Sequence, residues 1–272
     1  MRIAVSELDM RVASSVDEAL RILRDEKRTP IAGATDVYVA LNFGTLTPRR
    51  FLDIWTLDEL RTIFVHQDKL VIGALASYTT LMQSHLVAER VPMLAEASRL
   101  VGGVQIQNRG TLGGNIANGS PAADGVPVLS ATDATVVMRS LDGERRVPIN
   151  SFYTGYRSTV MKPDELIVAI EIPPVEGKQW FRKVGTRAAQ AISKIVMAAV
   201  RAPSPKIALG SVAPTVVRAK MTEQALAGGA SIEEASRILG EEIVPIDDVR
   251  STADYRRRVS MNLLRRFWAD TA

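Results

Sequence analysis

Apolar residues recur at helical spacing near the start of the chain and then give way to a short strand and a glycine turn. A capping box that begins at Ser15 opens a helix predicted for residues 16–27. Residues 29–36 indicate a strand that runs into the turn. Residues 37–42 restart as a helix, for which Thr35 or Asp36 supplies the cap. The first unit is therefore expected to follow the order helix, strand, glycine turn, helix.

Short alternating runs in the middle of the chain predict strands, interrupted by one helix. The helix begins at Pro92, because proline favours the first helical position, and extends to about Val101. The strands share period-two alternation or short apolar runs: residues 51–54, 62–66, 70–74, 134–139, 145–148 and 167–172. Adjacent prolines and a glycine in residues 173–178 cannot continue a sheet, so this segment is the expected domain boundary.

Beyond that boundary the pattern predicts two strands and then three helices. The strands cover residues 180–184 and 206–212, and the helices cover roughly 218–227, 232–239 and 252–268. In the last helix, apolar residues four apart predict one buried stripe: Tyr255, Val259, Leu263 and Phe267.

The composition excludes several kinds of chemistry. The chain has no cysteine, so it forms no disulfide, thiolate zinc site, cysteine nucleophile or all-cysteine iron–sulfur cluster. His66 and His85, the two histidines, have no second ligand at metal spacing and are interpreted as surface or loop residues. We expect no metal site and no catalytic residue in this chain. Redox chemistry would need an organic cofactor or clusters on a partner.

Charge and hydropathy argue against nucleic acid and membranes as partners. The net charge is +4, aromatic residues make up 5%, and the arginines are scattered apart from those in 256–266. We interpret those arginines as a solvated helix face, with a docking surface for partner subunits as the alternative. Residues 1–20 carry acids and no continuous apolar core, unlike a signal peptide, and the apolar run 195–200 is too short for a membrane span. A cytoplasmic location is expected.

Glycines concentrate at two places where backbone can contact a ligand. Seven of the 18 glycines fall in residues 102–125, which indicates close approach or positive φ. Within this segment, residues 110–115 (G-T-L-G-G-N) can press against a flat or anionic ligand, and Asn115 offers both a donor and an acceptor. The earlier turn, residues 31–36 (I-A-G-A-T-D), presents backbone N–H groups that suit phosphate oxygens. Asp124 either accepts from a ribose or caps a helix expected at 125–132.

These two turns match no common nucleotide fingerprint. Neither G-x-G-x-x-G nor G-x-x-x-x-G-K-[ST] occurs in the chain. A ligand that touches both turns must be long, and a dinucleotide such as FAD has the required length.

A series of short motifs recurs in a fixed order along the chain. In the first half they are A-G-A-T-D at 32–36, I-G-A at 72–74, G-T-L-G-G-N at 110–115, P-A-A-D at 121–124, F-Y-T-G-Y-R at 152–157 and P-D-E-L at 163–166. In the second half they are K-V-G-T-R at 183–187, A-I-S at 191–193 and A-L-G-S-V-A-P-T at 208–215. Their order and spacing resemble the flavoprotein subunits of molybdenum hydroxylases, the xanthine dehydrogenase and carbon monoxide dehydrogenase family, over essentially the whole chain.

The resemblance implies an α+β fold with two domains. Residues 1–173 should form a two-lobed FAD-binding domain of the PCMH type, with lobes of about 1–55 and 56–173 that hold FAD between them. Residues 178–272 should form a C-terminal domain of the CO dehydrogenase flavoprotein type, in which a three-stranded antiparallel sheet packs against helices.

The resemblance also implies which residues bind the cofactor. By analogy, the first loop cradles the pyrophosphate with Pro30, Ile31, Ala32, Gly33, Ala34, Thr35, Asp36 and Val37. The second loop and one carboxylate hold the ribityl and pyrophosphate side: Gly110, Thr111, Gly113, Gly114, Asn115 and Asp124. Val101, Leu166 and Lys183 approach the ring system, where a lysine stabilises the reduced anionic flavin. Without the resemblance, Lys183 would be read as a solvated surface residue.

The chain departs from the family pattern at two places. Ala34 stands where the family has a second glycine, so the first loop should be stiffer. Residues 202–205 form a shorter connection than the hairpin usual there. The extra cysteine-bound cluster of one branch cannot be present.

The function implied by the resemblance is electron transfer. Such a subunit takes electrons from [2Fe–2S] clusters on a small partner and passes them to NAD⁺, oxygen or another acceptor. A large subunit with the molybdenum cofactor oxidises the substrate, for which a purine is the first expectation, followed by nicotinate, another heteroaromatic or an aldehyde. One alternative is a free-standing FAD-dependent reductase with its own small substrate, although the C-terminal motifs fit the hydroxylases better. Another is a scaffold without flavin, against which the intact second loop argues.

Overall fold

The first lobe is a small parallel sheet with helices. The computed structural model describes residues 4–272, so residues 1–3 of the expected first lobe lie outside the described part. Strands β1 (Asp9–Val12), β3 (Arg50–Asp53) and β2 (Thr29–Ile31) pair in parallel in that order. Helices α1 (Val16–Asp25) and α2 (Thr35–Phe43) follow β1 and β2. The predicted order of helix, strand, glycine turn and helix is confirmed.

The N-cap predicted for α1 is confirmed, whereas the one predicted for α2 is not. At α1, the Ser15 hydroxyl accepts the backbone N–H of Glu18 at 3.2 Å, so the predicted cap is confirmed. At α2, the predicted cap was wrong. Ala34 takes the N-cap position in the left-handed region, at φ 62°, and no side chain caps the helix. The helix starts earlier than predicted because the chain turns on Ala34, which leaves Thr35 and Asp36 inside the first turn.

The second lobe is a five-stranded antiparallel sheet covered by short helices. Its strands lie in the order β4, β5, β10, β6, β7. Their bounds are close to those predicted: β4 Ile63–His66, β5 Lys69–Gly73, β6 Thr135–Ser140, β7 Gly143–Pro148 and β10 Leu166–Ile172. A small hairpin, β8 (Tyr153–Gly155) and β9 (Ser158–Thr159), lies between β7 and β10 in the chain.

Helices occupy much of the glycine-rich segment, where sequence periodicity gave no signal. The helices of this lobe are α3 Tyr78–Gln83, α4 His85–Arg90, α5 Pro92–Arg99, α6 Val104–Arg109, α7 Leu112–Asn118 and α8 Gly125–Ala131. Gly103 and Gly110 bound α6, and Gly119 ends α7 in the left-handed region at φ 60°. Helices of six or seven residues are too short to show a repeating apolar face.

The C-terminal domain is an antiparallel sheet between two apolar layers. Its strands are β11 Lys178–Val184, β12 Ile195–Arg201, β13 Lys206–Gly210 and β14 Val217–Arg218, paired in that order. The three long strands match the sheet that the resemblance implied, and the two-residue β14 extends it. One face packs through Met197 and Ala199 on the C-terminal helices, whereas Val196 and Ala198 pack on the second lobe. Burial on both faces makes β12 a continuous apolar run.

Three helices complete the domain, and the last one confirms its predicted stripe in part, because Phe267 is buried while Val259 and Leu263 are half-buried against the same core. They are α9 Lys220–Ala227, α10 Ile232–Glu242 and α11 Ala253–Asp270. The fully buried positions of α11 are Arg256, Ser260, Leu264 and Phe267. Arg256 donates to Asp248 Oδ1 at 2.6 Å and to the Ser211 carbonyl at 2.8 Å, so the interpretation of these arginines as a solvated face was wrong for Arg256. Within residues 4–272, no helix combines the length and hydrophobicity that crossing a membrane requires.

Candidate cofactor-binding site

The two glycine turns meet at a backbone contact. The first turn leaves the carboxyl end of β2, and a Cβ on Gly33 would lie 1.6 Å from the carbonyl oxygen of Arg109, immediately before the second turn. Only glycine permits this approach, since a side chain would overlap backbone atoms. The structure therefore brings residues 30–37 and 110–115 together at the junction of the two lobes.

The second turn is fixed on the segment that follows β5. Gly113 donates its backbone N–H to the Ala74 carbonyl at 2.9 Å, and a Cβ on Gly113 would lie 2.7 Å from that oxygen. Thr111 caps α7 by accepting the N–H of Gly114 at 3.1 Å. A Cβ on Gly110 would lie 3.0 Å from the Tyr78 ring. Close packing on both sides makes this turn a rigid backbone surface.

The donors and acceptors of the two turns suit a dinucleotide. The first N–H groups of α2 lack intrahelical partners, as at any helix start, and can bind phosphate oxygens. Asn115 Oδ1 is buried without a hydrogen-bond partner among the described residues. A buried acceptor of this kind requires a donor, such as a hydroxyl of a ribityl or ribose group. The residues present therefore fit FAD.

A polar chain joins the first turn to the second lobe. Asn118 donates to Asp36 Oδ1 at 3.0 Å and accepts from Arg157 Nη1 at 2.9 Å. Burial raises the pKa of the Asp36 carboxyl, and the positive charge of Arg157 opposes this rise. Arg157 belongs to the F-Y-T-G-Y-R motif, which was the available signal for its place here. Asn118 thus links Asp36 of the first lobe to Arg157 of the second.

Asp124 and Lys183 form a buried ion pair between the two domains. Lys183 Nζ lies 2.6 Å from Asp124 Oδ2 and donates to the Leu100 carbonyl at 2.8 Å, and its side chain is 7% exposed. The Ser193 hydroxyl donates to the other Asp124 oxygen. Burial raises the pKa of the Asp124 carboxyl, whereas Lys183 and Ser193 act in the opposite direction.

This ion pair corrects two interpretations. Asp124 makes no capping hydrogen bond to α8, so its interpretation as a helix cap was wrong. Lys183 is not a solvated surface residue, because strand pairing in β11 turns its side chain toward the second lobe. Neither Ser193 nor the pairing itself could be read from the sequence, since 59 residues separate Asp124 and Lys183.

The remaining residues that were expected to bind the cofactor are buried to different degrees. Val101 is half-buried and adjoins Leu100, whose carbonyl binds Lys183, so Val101 and Lys183 are neighbours. Leu166 is 2% exposed and packs in the core of the first lobe, against which Ala32 also packs. It therefore lies behind the first glycine turn. Ile31 is buried at the end of β2.

Sequence reasoning missed Tyr78. Its ring is 3% exposed, contacts Gly110, and its backbone N–H donates to the Gly110 carbonyl at 3.2 Å. Burial raises the pKa of its phenol, and the charges of Asp124 and Asp36 add to the rise. An aromatic residue at the start of a short helix is typical of an ordinary core position. The sequence therefore gave no indication that Tyr78 lies at the site.

Comparisons with known proteins agree with this arrangement. Residues 6–175 match the family model described as the FAD binding domain in molybdopterin dehydrogenase, and residues 180–271 match the CO dehydrogenase flavoprotein C-terminal domain. The glyceraldehyde dehydrogenase medium chain of Sulfolobus acidocaldarius is 32% identical, over 91% of this chain and 92% of that one. The xanthine dehydrogenase FAD-binding subunit of Escherichia coli O157:H7 is 31% identical, over 90% and 89%.

A solved structure shares the complete fold. A carbon monoxide dehydrogenase chain from Hydrogenophaga pseudoflava, in an enzyme that lacks the Mo-pyranopterin moiety, superposes with a TM-score of 0.91 at 29% identity. The match covers 98% of this chain and 99% of that one. Fold and site together define an FAD-binding subunit of an oxidoreductase.

The chain belongs to the family of FAD-binding medium subunits of molybdenum hydroxylases, which includes the xanthine and carbon monoxide dehydrogenases. The relatives are named as medium chains or FAD-binding subunits of dehydrogenases, and the solved carbon monoxide dehydrogenase is named for its molybdenum cofactor.

Proposed function

We propose that FAD is held between the two glycine turns. The diphosphate binds residues 30–37, and the ribityl side lies against residues 110–115. The observation that carries this proposal is the backbone contact of Gly33 with Arg109, since it joins two distant turns into one surface. The unpartnered acceptor of Asn115 supports it further. FAD, when bound, supplies a carrier that takes up one or two electrons.

The ring system is proposed to lie near Val101 and Lys183. Lys183 is held by Asp124 and the Leu100 carbonyl, so its positive charge is fixed in position before the cofactor binds. A fixed cation stabilises negative charge that develops on a neighbouring group, because no reorganisation is needed at that moment. Leu166 supports the first turn from behind by packing in the same core as Ala32. The chain contributes orientation and charge to the site and no general base.

The subunit is proposed to connect the partner's clusters to a soluble acceptor. It would take electrons from [2Fe–2S] clusters on the small subunit and deliver them to NAD⁺ or another acceptor, while the large subunit oxidises the substrate. Relatives named for glyceraldehyde and xanthine are 32% and 31% identical to this chain. This chain is thus about equally similar to relatives that are named for different substrates. That similarity supports a substrate pocket on another subunit. A purine remains the first substrate to test, followed by nicotinate, other heteroaromatics and aldehydes.

The two domains are proposed to divide at residues 173–178. The two family models leave residues 176–179 unmatched, which supports this division. The proline pair there also separates β10 from β11. The domains still share one apolar core, because Phe181 and Val196 pack with residues of the second lobe.

The cofactor proposal is tested by flavin content. Wild-type chain and the Gly33→Ala variant are purified, and bound FAD is measured from the visible flavin spectrum and from FAD released on denaturation. We expect the variant to lose FAD, whereas Gly155→Ala, where a Cβ meets nothing within 4 Å, retains it. Wild-type protein that stays colourless after incubation with FAD would contradict the proposal.

The electron-transfer proposal needs the whole complex. The subunits that copurify with this chain are identified, and molybdenum and iron are measured in the complex. We then expect a substrate-reduced complex to be reoxidised by one acceptor, with NAD⁺ tested first and oxygen second. A complex with neither metal would contradict the proposed role.

A further inference from the structure

A tryptophan at the edge of the first lobe contacts two arginines. The guanidinium carbon of Arg109 lies 3.8 Å from the centroid of the Trp55 ring, and that of Arg61 lies 4.1 Å from it. Arg61 is engaged elsewhere, since it pairs with Asp58 and donates to the Leu75 carbonyl. Arg109 has no ion pair and no side-chain hydrogen bond among residues 4–272. Its charge is held by the ring alone.

Trp55 lies at the sheet edge that carries the first glycine turn. The carboxyl ends of β2 and β3 are neighbours, because Ile31 pairs with Asp53 and the Ile54 N–H donates to the Ile31 carbonyl at 3.0 Å. Trp55 therefore follows β3 where Ala32 follows β2. Ligands of parallel sheets bind at this edge. The Arg109 backbone reaches the same place, since its carbonyl contacts Gly33.

The charged groups near the two glycine turns leave the binding of a diphosphate as a role for Arg109. A dinucleotide diphosphate is anionic, and Asp36 already adds a carboxylate to the first turn. Lys183 is paired with Asp124 at the proposed ring end of the site, and the charge of Arg157 acts on Asp36. Arg109, whose backbone carbonyl contacts Gly33 and whose guanidinium lies over Trp55, makes no ion pair within the described residues.

We propose that Arg109, oriented by Trp55, binds the diphosphate of FAD. This inference rests on the proposed placement of the diphosphate over residues 30–37. Trp55 restricts the arginine to one region, so less side-chain freedom is lost when the phosphate binds. Because Trp55 belongs to the first lobe and Arg109 to the second, the contact also joins the lobes across the cofactor.

The test compares ligands with and without a diphosphate. Binding of FAD, ADP and riboflavin to flavin-free full-length chain is measured by fluorescence titration and calorimetry, for wild type, Arg109→Gln and Arg109→Lys. Loss of a charged hydrogen bond should weaken FAD and ADP binding about tenfold or more in Arg109→Gln. Riboflavin affinity should not change. Arg109→Lys keeps the charge and should bind FAD within about threefold of wild type, with a similar salt dependence.

Two results would overturn the assignment. Arg109→Gln could bind FAD and ADP like wild type, or it could lose riboflavin and FAD equally, which would mark Arg109 as structural. If Arg109→Gln fails to fold, as judged by circular dichroism, Trp55→Leu replaces it: weaker FAD and ADP binding with unchanged riboflavin binding supports the proposal, and any other pattern rejects it. Wild-type protein that binds no FAD would instead reject the proposed cofactor site itself.

Discussion

Ala34 carries a conformational cost at the start of α2. Its φ of 62° lies in the left-handed region, where a Cβ crowds the following carbonyl and glycine does not. We expect Ala34→Gly to raise the free energy of unfolding by about 0.5–1 kcal/mol, because relief of strain exceeds the entropy cost of glycine. Urea denaturation measures the change. Ala40→Gly, inside the same helix, is the control and should lower stability by about 1 kcal/mol.

Gly113 faces the opposite constraint, because it has no room for a side chain. A Cβ there would lie 2.7 Å from both the Cβ and the carbonyl oxygen of Ala74. We expect Gly113→Ala to destabilise the protein by about 3 kcal/mol, since the backbone of the second turn must move. Gly155→Ala, which meets open space, should change stability by less than about 0.5 kcal/mol. Equal denaturation midpoints for the two variants would show that the second turn is not tightly packed.

The sheet of the second lobe is held at one end by an ion pair between strands that are not neighbours. Arg145 of β7 binds both oxygens of Glu165, at 2.9 and 2.8 Å, just before β10 begins. The Lys162 backbone N–H donates to the same carboxylate at 2.7 Å. Burial raises the pKa of Glu165, but these hydrogen bonds outweigh it and hold the pKa below its ordinary value of 4.5.

This pair predicts a loss of stability in acid. A depressed pKa means that the stabilisation is present above 4.5 and is lost as the pH falls from there through the lower folded value. We therefore expect the urea midpoint to drop between about pH 5 and pH 3, and Glu165→Gln to start lower and fall less. Asp142→Asn, in an exposed pair with Arg24, should leave the pH profile unchanged. A Glu165→Gln profile that parallels wild type would exclude this carboxylate as the cause.

Lys183 and Asp124 join the C-terminal domain to the FAD-binding domain through charges that are 7% and 8% exposed. Removing one partner leaves the other charge buried, so Lys183→Met should cost about 3–5 kcal/mol of unfolding free energy. The double variant Lys183→Met with Asp124→Asn should recover part of this loss, because it buries no unpaired charge. A double-mutant cycle in urea measures the coupling. Additive effects would mean that the two residues act independently.

Much of the architecture was readable from local pattern. The bounds of the second-lobe strands, the cap at Ser15 and the strand, glycine turn and helix of the first loop follow from periodicity and capping chemistry. β12 was not predicted as a strand, because burial on both faces removes the alternation of apolar and polar residues. The stripe of α11 shows where local pattern fails. Apolar spacing placed Tyr255 on the buried stripe, but the helix turns Arg256 inward, where Asp248 and the Ser211 carbonyl accept hydrogen bonds from its two Nη atoms. Those partners come from other elements.

The cofactor site likewise has some features that the sequence predicted and others that only folding decided. The sequence alone located both glycine turns and excluded cysteine chemistry, because glycine content and residue inventory are local properties. The contact of Gly33 with Arg109, the pairing of Lys183 with Asp124, and the place of Tyr78 and Trp55 depend on folding. Each joins residues that are distant in the chain, and their closeness is fixed by strand pairing and core packing. Residue types thus set which chemistry is available, and three-dimensional packing sets which groups act together.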